Sequence, residues 1–329
     1  MFTRPDEPTD RQLVTAVLDG WGLRVEDLVY LPIGFGSYHW RMIAEGTPWF
    51  VTVDDLELRK QRRGDPVEVP RRCLTAALTT AMALRDAGLD FVIAPAPTDT
   101  GDSLVVMDDR FALALYPYVD GTTHRCGKYG SRPERLAVLD LVTRIHAASG
   151  TPRDVALPDD LAIPARDELT TALRSLDDPW DTGPFGEDAR RRLQEHAEAV
   201  HQVLGRFDDL VAEVNEGTDR WVVTHGEPHR ANTIDTQTGL VLIDWDTARL
   251  AAPERDLWML ADGDAAVLDA YTERTGIPWN RTALDTYRLW WNLTEVALYV
   301  AQFRTPHEDD EDTQTAWQGL TTHLDPTRW

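Results

Sequence analysis

Between Trp221 and Asp246 the chain reads WVVTHGEPHRANTIDTQTGLVLIDWD. Three side chains in this stretch suit one reaction: the carboxylate Glu227, the amide Asn232 five residues on, and the carboxylate Asp244 twelve beyond that. Phosphoryl transfer needs one carboxylate to orient or deprotonate a hydroxyl. It also needs hard oxygen ligands for Mg²⁺. The order carboxylate, four residues, Asn, strand end, Asp is that of a kinase catalytic loop. The flanking runs, Trp221 to Val223 and Leu240 to Ile243, read as short apolar strands of one hairpin. Such strands hold a functional loop rigidly. His225 and His229 do not make a zinc-protease pair, because Gly226 and Pro228 break the helix that such a pair requires. The competing interpretation is a polar hairpin with incidental acids, and the joint agreement of spacing, strands and terminal Asp weighs against it.

The stretch resembles the aminoglycoside phosphotransferase family, whose loop reads His-Gly-Asp-x-x-x-x-Asn, followed by Ile-Asp at a strand end. The segment from Ala252 to Trp258, with Asp256 inside it, is most similar to the spectinomycin phosphotransferase branch. The resemblance is specific from 222 to 258 and extends over the rest only as element order. It implies a protein-kinase-like, two-lobed α+β fold. A small antiparallel-sheet N-lobe would span residues 1–116, and a mainly helical C-lobe residues 117–329. The implied reaction moves the γ-phosphate of ATP (or GTP), with Mg²⁺, to a hydroxyl of an aminoglycoside or aminocyclitol, an antibiotic modification or resistance activity. By similarity His225 shapes the loop and Glu227 stands where the catalytic Asp stands. Asn232 and Asp244 hold Mg²⁺, and Asp256 braces the loop. Glu227 departs from the family's Asp by one methylene, so the geometry of the base must differ.

The elements that position these groups follow in order. Residues 1–9 read as a loose tail, and Asp10 as the cap of a helix through Trp21 with Leu13, Val14, Val17 and Leu18 on one face. Strands at Leu28 to Pro32 and His39 to Ala44 enclose Gly34, Gly36 and Ser37. Glycines there let backbone N–H groups approach nucleotide phosphates. On the next strand, from Thr47 to Asp54, the family carries a lysine that meets the phosphates. Here the matching position is Thr52. The following helix, about Arg71 to Ala87, contains no Glu to partner such a lysine. Arg41 or Lys60 stands in for it, or the loop and metal hold the phosphates alone, or the chain binds without catalysing. Substitution, with Arg41 foremost, is the favoured interpretation. The segment from Leu113 to Gly121 resembles a kinase hinge, which places Tyr116 and Tyr118 beside the nucleotide.

In the C-lobe, helices are expected at Pro133 to Ala148, Arg166 to Leu176, Glu187 to Gly205, Pro253 to Asp262, Asp264 to Thr275 and Asp285 to Phe303. By the resemblance, the two inserted helices at Arg166 to Leu176 and Glu187 to Gly205 flank the acceptor. Trp180, Asp181, Glu187 and Asp188 are therefore candidates to meet a cationic acceptor, as are Asn292 and Glu295 one turn apart. The acidic run Glu308 to Asp312 reads as a solvated loop.

Composition narrows the partners. The net charge of −23 repels nucleic acid and anionic lipid and attracts cationic small molecules, although solubility alone would also account for it. Only two lysines occur, Lys60 and Lys128, and the two cysteines, Cys73 and Cys126, form no disulfide framework. The polar first ten residues lack a signal-peptide core, and no apolar run nears the roughly 18 residues of a membrane span. A cytoplasmic enzyme with no nucleic-acid or membrane partner is expected. No feature of the sequence sets an oligomeric state. Another acceptor (choline, a sugar, a nucleoside antibiotic) and a catalytically silent ligand-binding protein are the alternatives.

Overall fold

The computed structural model describes every residue except Cys126, Lys128 and Glu216. Two of the residues counted above, Cys126 and Lys128, thus lie outside the described residues. The chain folds as a five-stranded antiparallel sheet followed by a mostly helical region.

Helix α1 (Asp10–Trp21) is capped by Thr9, one residue ahead of the expected Asp10. The Thr9 hydroxyl accepts the Gln12 N–H while the Gln12 side chain accepts the Thr9 N–H. Leu13, Val17 and Trp21 are buried under the sheet, whereas Leu18, expected on the same face, is exposed. The sheet contains β1 (Val25–Leu31), β2 (Tyr38–Ala44), β3 (Thr47–Asp55), β4 (Val105–Met107) and β5 (Phe111–Pro117), in the spatial order β1-β2-β3-β5-β4. Strand alternation sorts its residues. Trp40, Met42, Val51 and Val53 join the core formed with α1. His39, Arg41, Phe50 and Thr52 therefore face the other way, with His39 opposite Thr52 and Arg41 opposite Phe50.

Helix α2 (Glu68–Asp86) begins three residues earlier than the sequence suggested. It therefore does contain a glutamate, Glu68, but that side chain is exposed in the first turn. No strand-to-helix ion pair forms through it.

The second region runs β6 (Thr122–Thr123), α3 (Arg132–His146), α4 (Thr151–Val155), α5 (Arg166–Arg174), α6 (Gly186–Asn215), β7 (Val222–Thr224), β8 (Thr233–Thr236), β9 (Gly239–Leu242), β10 (Arg249–Ala251), α7 (Glu254–Ala261), α8 (Ala265–Thr275), α9 (Arg281–Phe303) and α10 (Glu311–His323). The strands flanking the catalytic loop are not partners in one hairpin, as expected, but belong to different sheets. Strand β7 pairs with β10, and β9 pairs with β8. The loop 225–232 thus bridges two small sheets and is fixed from both sides. Gly121, at the crossing between regions, lets β6 lie against β8: a Cβ there would sit 2.4 Å from Ile234.

Two other expectations are overturned. The acidic run is loop only at exposed Glu308 and Asp309, and Glu311 and Asp312 form the first turn of α10. Asp310 caps that helix by accepting the Thr313 N–H at 2.8 Å. The first residues are not loose, because buried Asp312 accepts the N–H groups of Phe2 and Thr3, each at 2.8 Å. Sequence spacing misses this contact, which spans 310 residues. Among the described residues no helix is long and apolar enough to cross a membrane.

Candidate active site

The loop after β7 is held by its main chain. Asp256, at the start of α7 and fully buried, accepts the His225 N–H at 3.0 Å and the Gly226 N–H at 2.6 Å. His146 meets the same carboxylate through Nε2 at 3.0 Å, and its Nδ1 meets the Tyr271 hydroxyl at 2.9 Å. Burial opposes charge on Asp256. The His146 contact, with Arg255 nearby, nevertheless keeps its carboxyl below the usual range. An ionised acceptor with several donors is the stable state of such a site.

His225 performs two tasks with two ring nitrogens. Nε2 donates to the Ile243 carbonyl at 2.9 Å, and Nδ1 accepts the Glu227 N–H at 3.2 Å. Only a neutral ring with its proton on Nε2 can make both bonds. Burial pushes the His225 pKa down, which favours that form. The Glu227 carbonyl accepts Asn232 Nδ2 at 3.0 Å and the His229 N–H at 2.7 Å. Glu227 is thereby fixed at both of its peptide groups, while its carboxylate stays partly exposed, with His229 Nε2 at 3.6 Å.

Trp245 orients the acids after β9. Its indole is fully buried against His225 at 4.6 Å between centroids, and its N–H bonds the Leu242 carbonyl. Burying an aromatic ring of this kind contributes about 1.5–3 kcal/mol. With Trp245 driven inward, Asp244 and Asp246 are left to the cleft. Asp244 has a left-handed backbone, φ 67°, and is exposed. The two carboxyls share a hydrogen bond and shift in opposite directions. Desolvation at the cleft floor, then the charges of Asp246 and Glu227, push Asp244 well above the usual range. Burial also works against Asp246, but the adjoining Arg59 outweighs it and holds Asp246 low. Asp246, and not Asp244, is the one in contact with the guanidinium.

The glycine loop lies above these acids. Gly34 and Gly36 have φ of 73° and 92°, backbone that side-chain-bearing residues rarely adopt. Buried Ser37 donates from Oγ to Asp54 at 2.5 Å. Tyr116, on β5, is pushed well above its ordinary pKa by burial and then by Asp54, Asp244 and Asp246. It faces the acidic floor.

A loop of this order, fixed in this way beneath a glycine turn, can be compared with known proteins. The sequence model described as the phosphotransferase enzyme family, APH, matches residues 20–299. The chain belongs to that family. No curated protein matches it in sequence. Among solved structures, spectinomycin phosphotransferase APH(9)-Ia in complex with ADP and spectinomycin is similar, with TM-score 0.72 and 14% identity over 98% of this chain and 100% of that one. Amicoumacin kinase hAmiN with AMP-PNP, Ca²⁺ and Ami gives TM-score 0.58 and 11% identity, over 97% and 94%. Choline kinase LicA from Streptococcus pneumoniae gives 0.53 and 15%, over 96% and 98%. These identities establish a shared fold.

Against this phosphotransferase framework, several expected site residues stand elsewhere. Arg41, in the middle of β2, lies over the Tyr118 ring at 5.7 Å and among the described residues forms no ion pair with the acids. Lys60 is bound to Glu57 at 2.7 Å. Trp180 is not open to a ligand but packs in the helical core. Asp181 is exposed. Glu187 and Asp188 pair with Arg190 and Arg191 on their own helix. Asn292 is buried, with Nδ2 donating to the Arg288 and Arg328 carbonyls and Oδ1 near His323 Nδ1 at 2.9 Å. It secures the C-terminal segment rather than lining a cleft. Helical position alone could not separate its inward face from that of Glu295.

Glu295 is the candidate that reaches the site. Its carboxyl is pushed up to about 7 by desolvation, against the Tyr299 hydrogen bond, with the Glu227 charge adding to the rise. His323 Nε2 stands 3.8 Å away. That approach is no ion pair near neutral pH, since burial lowers His323 to about 4. The glycine-loop residue Phe35 contacts Tyr299 at 6.1 Å between centroids. The loop therefore reaches across to α9. The sequence reading also overlooked Asp54, Arg59 and Asp246. Asp246 carried a signal, two residues from Asp244 with a buried Trp between them. Arg59 carried none.

Proposed function

We propose that the protein is a Mg²⁺-dependent kinase that moves the γ-phosphate of ATP or GTP to a hydroxyl of a small cationic acceptor, most closely an aminoglycoside or aminocyclitol such as spectinomycin. Antibiotic modification would be its biological outcome. The observation that carries this is Glu227, fixed through both peptide groups between His225 and Asn232, with Asp244 beside it.

The N-lobe, to about residue 116, covers the nucleotide, and the remainder presents the acceptor. Gly34, Gly36 and Ser37 bring main-chain N–H groups to the phosphates. Tyr116 and Tyr118 flank the nucleotide. Glu227 orients the acceptor hydroxyl and takes its proton as that oxygen bonds to Pγ. The bond from Pγ to the bridging oxygen breaks, and the nucleoside diphosphate leaves with the electron pair.

The donor set suits Mg²⁺. Asn232 spends Nδ2 on the Glu227 carbonyl, which leaves Oδ1 for a hard cation, and Asp244 presents an accessible carboxylate next to Asp246. Such an ion takes one or two protein oxygens and completes its shell with water and phosphate. When bound it neutralises charge on the transferring phosphates. Glu295 and Glu227 together make the acceptor side anionic, which suits an ammonium-bearing substrate.

The second reading is a different small acceptor, favoured by the fold likeness to choline and amicoumacin kinases. One assay addresses both: γ-labelled ATP and GTP with Mg²⁺ against spectinomycin, hygromycin B, choline, simple sugars and nucleosides. Acceptor-dependent transfer of label to an aminocyclitol supports the first reading, and transfer to another member of the panel supports the second. Tight ligand binding with no labelled product would replace both with a catalytically silent binding protein.

A further inference from the structure

The position where family resemblance calls for a phosphate-binding lysine is Thr52, whose hydroxyl lies 3.3 Å from His39 Nδ1. Burial lowers His39 to about 4, so this pair brings no positive charge to the phosphate end of the cleft at neutral pH. A nucleotide triphosphate nevertheless has to settle above Asp54, Asp244 and Asp246, and without a cation there the acids would repel it.

Arg59 supplies that cation. It lies in the segment after β3 and is largely buried, with its side chain 23% exposed. Nε donates to Asp54 at 2.9 Å, while Nη2 contacts Asp54 at 2.8 Å, Ser37 Oγ at 3.3 Å and Asp246. One guanidinium thus touches the end of β3, the glycine loop and the strand end that bears Asp244. Among the described residues its bonds run from Nε and Nη2, which leaves the two N–H groups of Nη1 unclaimed. The segment is anchored just beyond, where Gln61 accepts the Ala165 N–H at 2.8 Å.

We propose that Arg59 is the side chain that holds the nucleotide phosphates, in place of the strand lysine, with Asp54 as its fixed counter-ion. The usual arrangement is inverted: the strand carries the acid and the following loop carries the base. Glu68 takes no part because it is exposed at the start of α2. A guanidinium suits the task because its planar fork can stay bonded to a carboxylate on one edge and meet a phosphate with the other. Ser37 ties the glycine loop to the same centre through Asp54.

This inference rests on the kinase reading, and calorimetry separates the two. Titrate wild type, Arg59→Gln and Arg59→Lys with ATP plus Mg²⁺, and with adenosine, which has the base and sugar but no phosphate. Arg59→Gln is expected to weaken ATP binding at least about tenfold, equal to about 1.4 kcal/mol, and to leave adenosine affinity unchanged. Arg59→Lys is expected to recover part of the loss. Adenosine binding also reports whether each variant is folded. Unchanged ATP affinity in Arg59→Gln overturns the inference. So does a parallel loss of ATP and adenosine in both variants, which marks Arg59 as structural. Wild type that binds ATP but phosphorylates no acceptor overturns the kinase reading alone, and wild type that binds no nucleotide overturns both.

Discussion

Nδ1 of His225 accepts the backbone N–H of Glu227 at 3.2 Å, so the proposed base is aligned through its main chain by a neutral imidazole. His225→Ala is expected to lower kcat at least about tenfold with little change in nucleotide KM, since a misplacement of about 1 Å can cost a hundredfold. The same ring gives a stability signature. Its folded pKa is lowered from 6.5 by burial. The unfolded chain therefore binds the proton first, and stability present above pH 6.5 is lost as pH falls toward the lowered value. Melting curves from pH 7.5 to 5 should decline more steeply for wild type than for His225→Ala.

Glu227→Gln keeps size and hydrogen bonding but cannot accept a proton. It is expected to reduce kcat at least about a hundredfold while nucleotide affinity stays nearly constant. Glu227→Asp should also lose rate, because its main chain is clamped and cannot advance to compensate for the shorter arm. Steady-state phosphorylation of the identified acceptor checks both variants. Wild-type kcat in Glu227→Gln would assign the proton to another group.

Gly226 has φ 100°, and a Cβ placed on it would meet Arg255 Nη1 at 2.3 Å. That guanidinium cannot move freely, being bonded to Thr224 Oγ1 at 3.1 Å and the Thr247 carbonyl at 2.8 Å. Gly226→Ala combines backbone strain with a blocked contact and should cost about 2 kcal/mol or more of stability. Denaturant unfolding measures this directly. A loss below about 0.5 kcal/mol would mean that the loop relaxes around the methyl group.

These residues differ in how far the sequence revealed them, and the reason is distance along the chain. Glu227, Asn232 and Asp244 lie on one continuous stretch whose strands and turn residues fix their order, so spacing alone pointed to phosphoryl transfer. The glycine loop was likewise local. Arg59 reaches Asp246 across 187 residues, and its other partner Asp54 is five residues away at a strand end where alternation says little. The start of α2 at Glu68 leaves no mark in the sequence, because the capping position is Val67, which makes no side-chain hydrogen bond. Family likeness places Trp180, and helical spacing places Asn292, beside an acceptor cleft. Their burial depends on which helices pack against them, and that is a tertiary fact.

Glu295 combines cost and function in one side chain. Its carboxyl is pushed up to about 7 from 4.5, first by desolvation and then by the Glu227 charge, with the Tyr299 hydrogen bond acting against the rise. His323 can answer only as an acceptor: its Nδ1 faces Asn292 Oδ1 at 2.9 Å, which leaves the Nε2 lone pair toward Glu295. A folded pKa above the unfolded one means that the native state binds the proton more tightly. The stability this contributes is fully present below about pH 4.5 and is lost as pH rises through about 7. Glu295→Gln resembles the protonated form. It should therefore leave stability unchanged near pH 4.5 and raise it at pH 8, by at most about 3.5 kcal/mol at about 1.4 kcal/mol per pH unit. The same change removes an anion from the acceptor side, so KM for a cationic acceptor should rise several-fold at pH 8. In wild type that KM should increase as pH falls below about 7, and in Glu295→Gln it should stay flat. Parallel melting and steady-state series across pH 5 to 8.5 test both arms. A variant no more stable at pH 8, with an unchanged acceptor KM, would show that Glu295 faces neither the charge of Glu227 nor the acceptor.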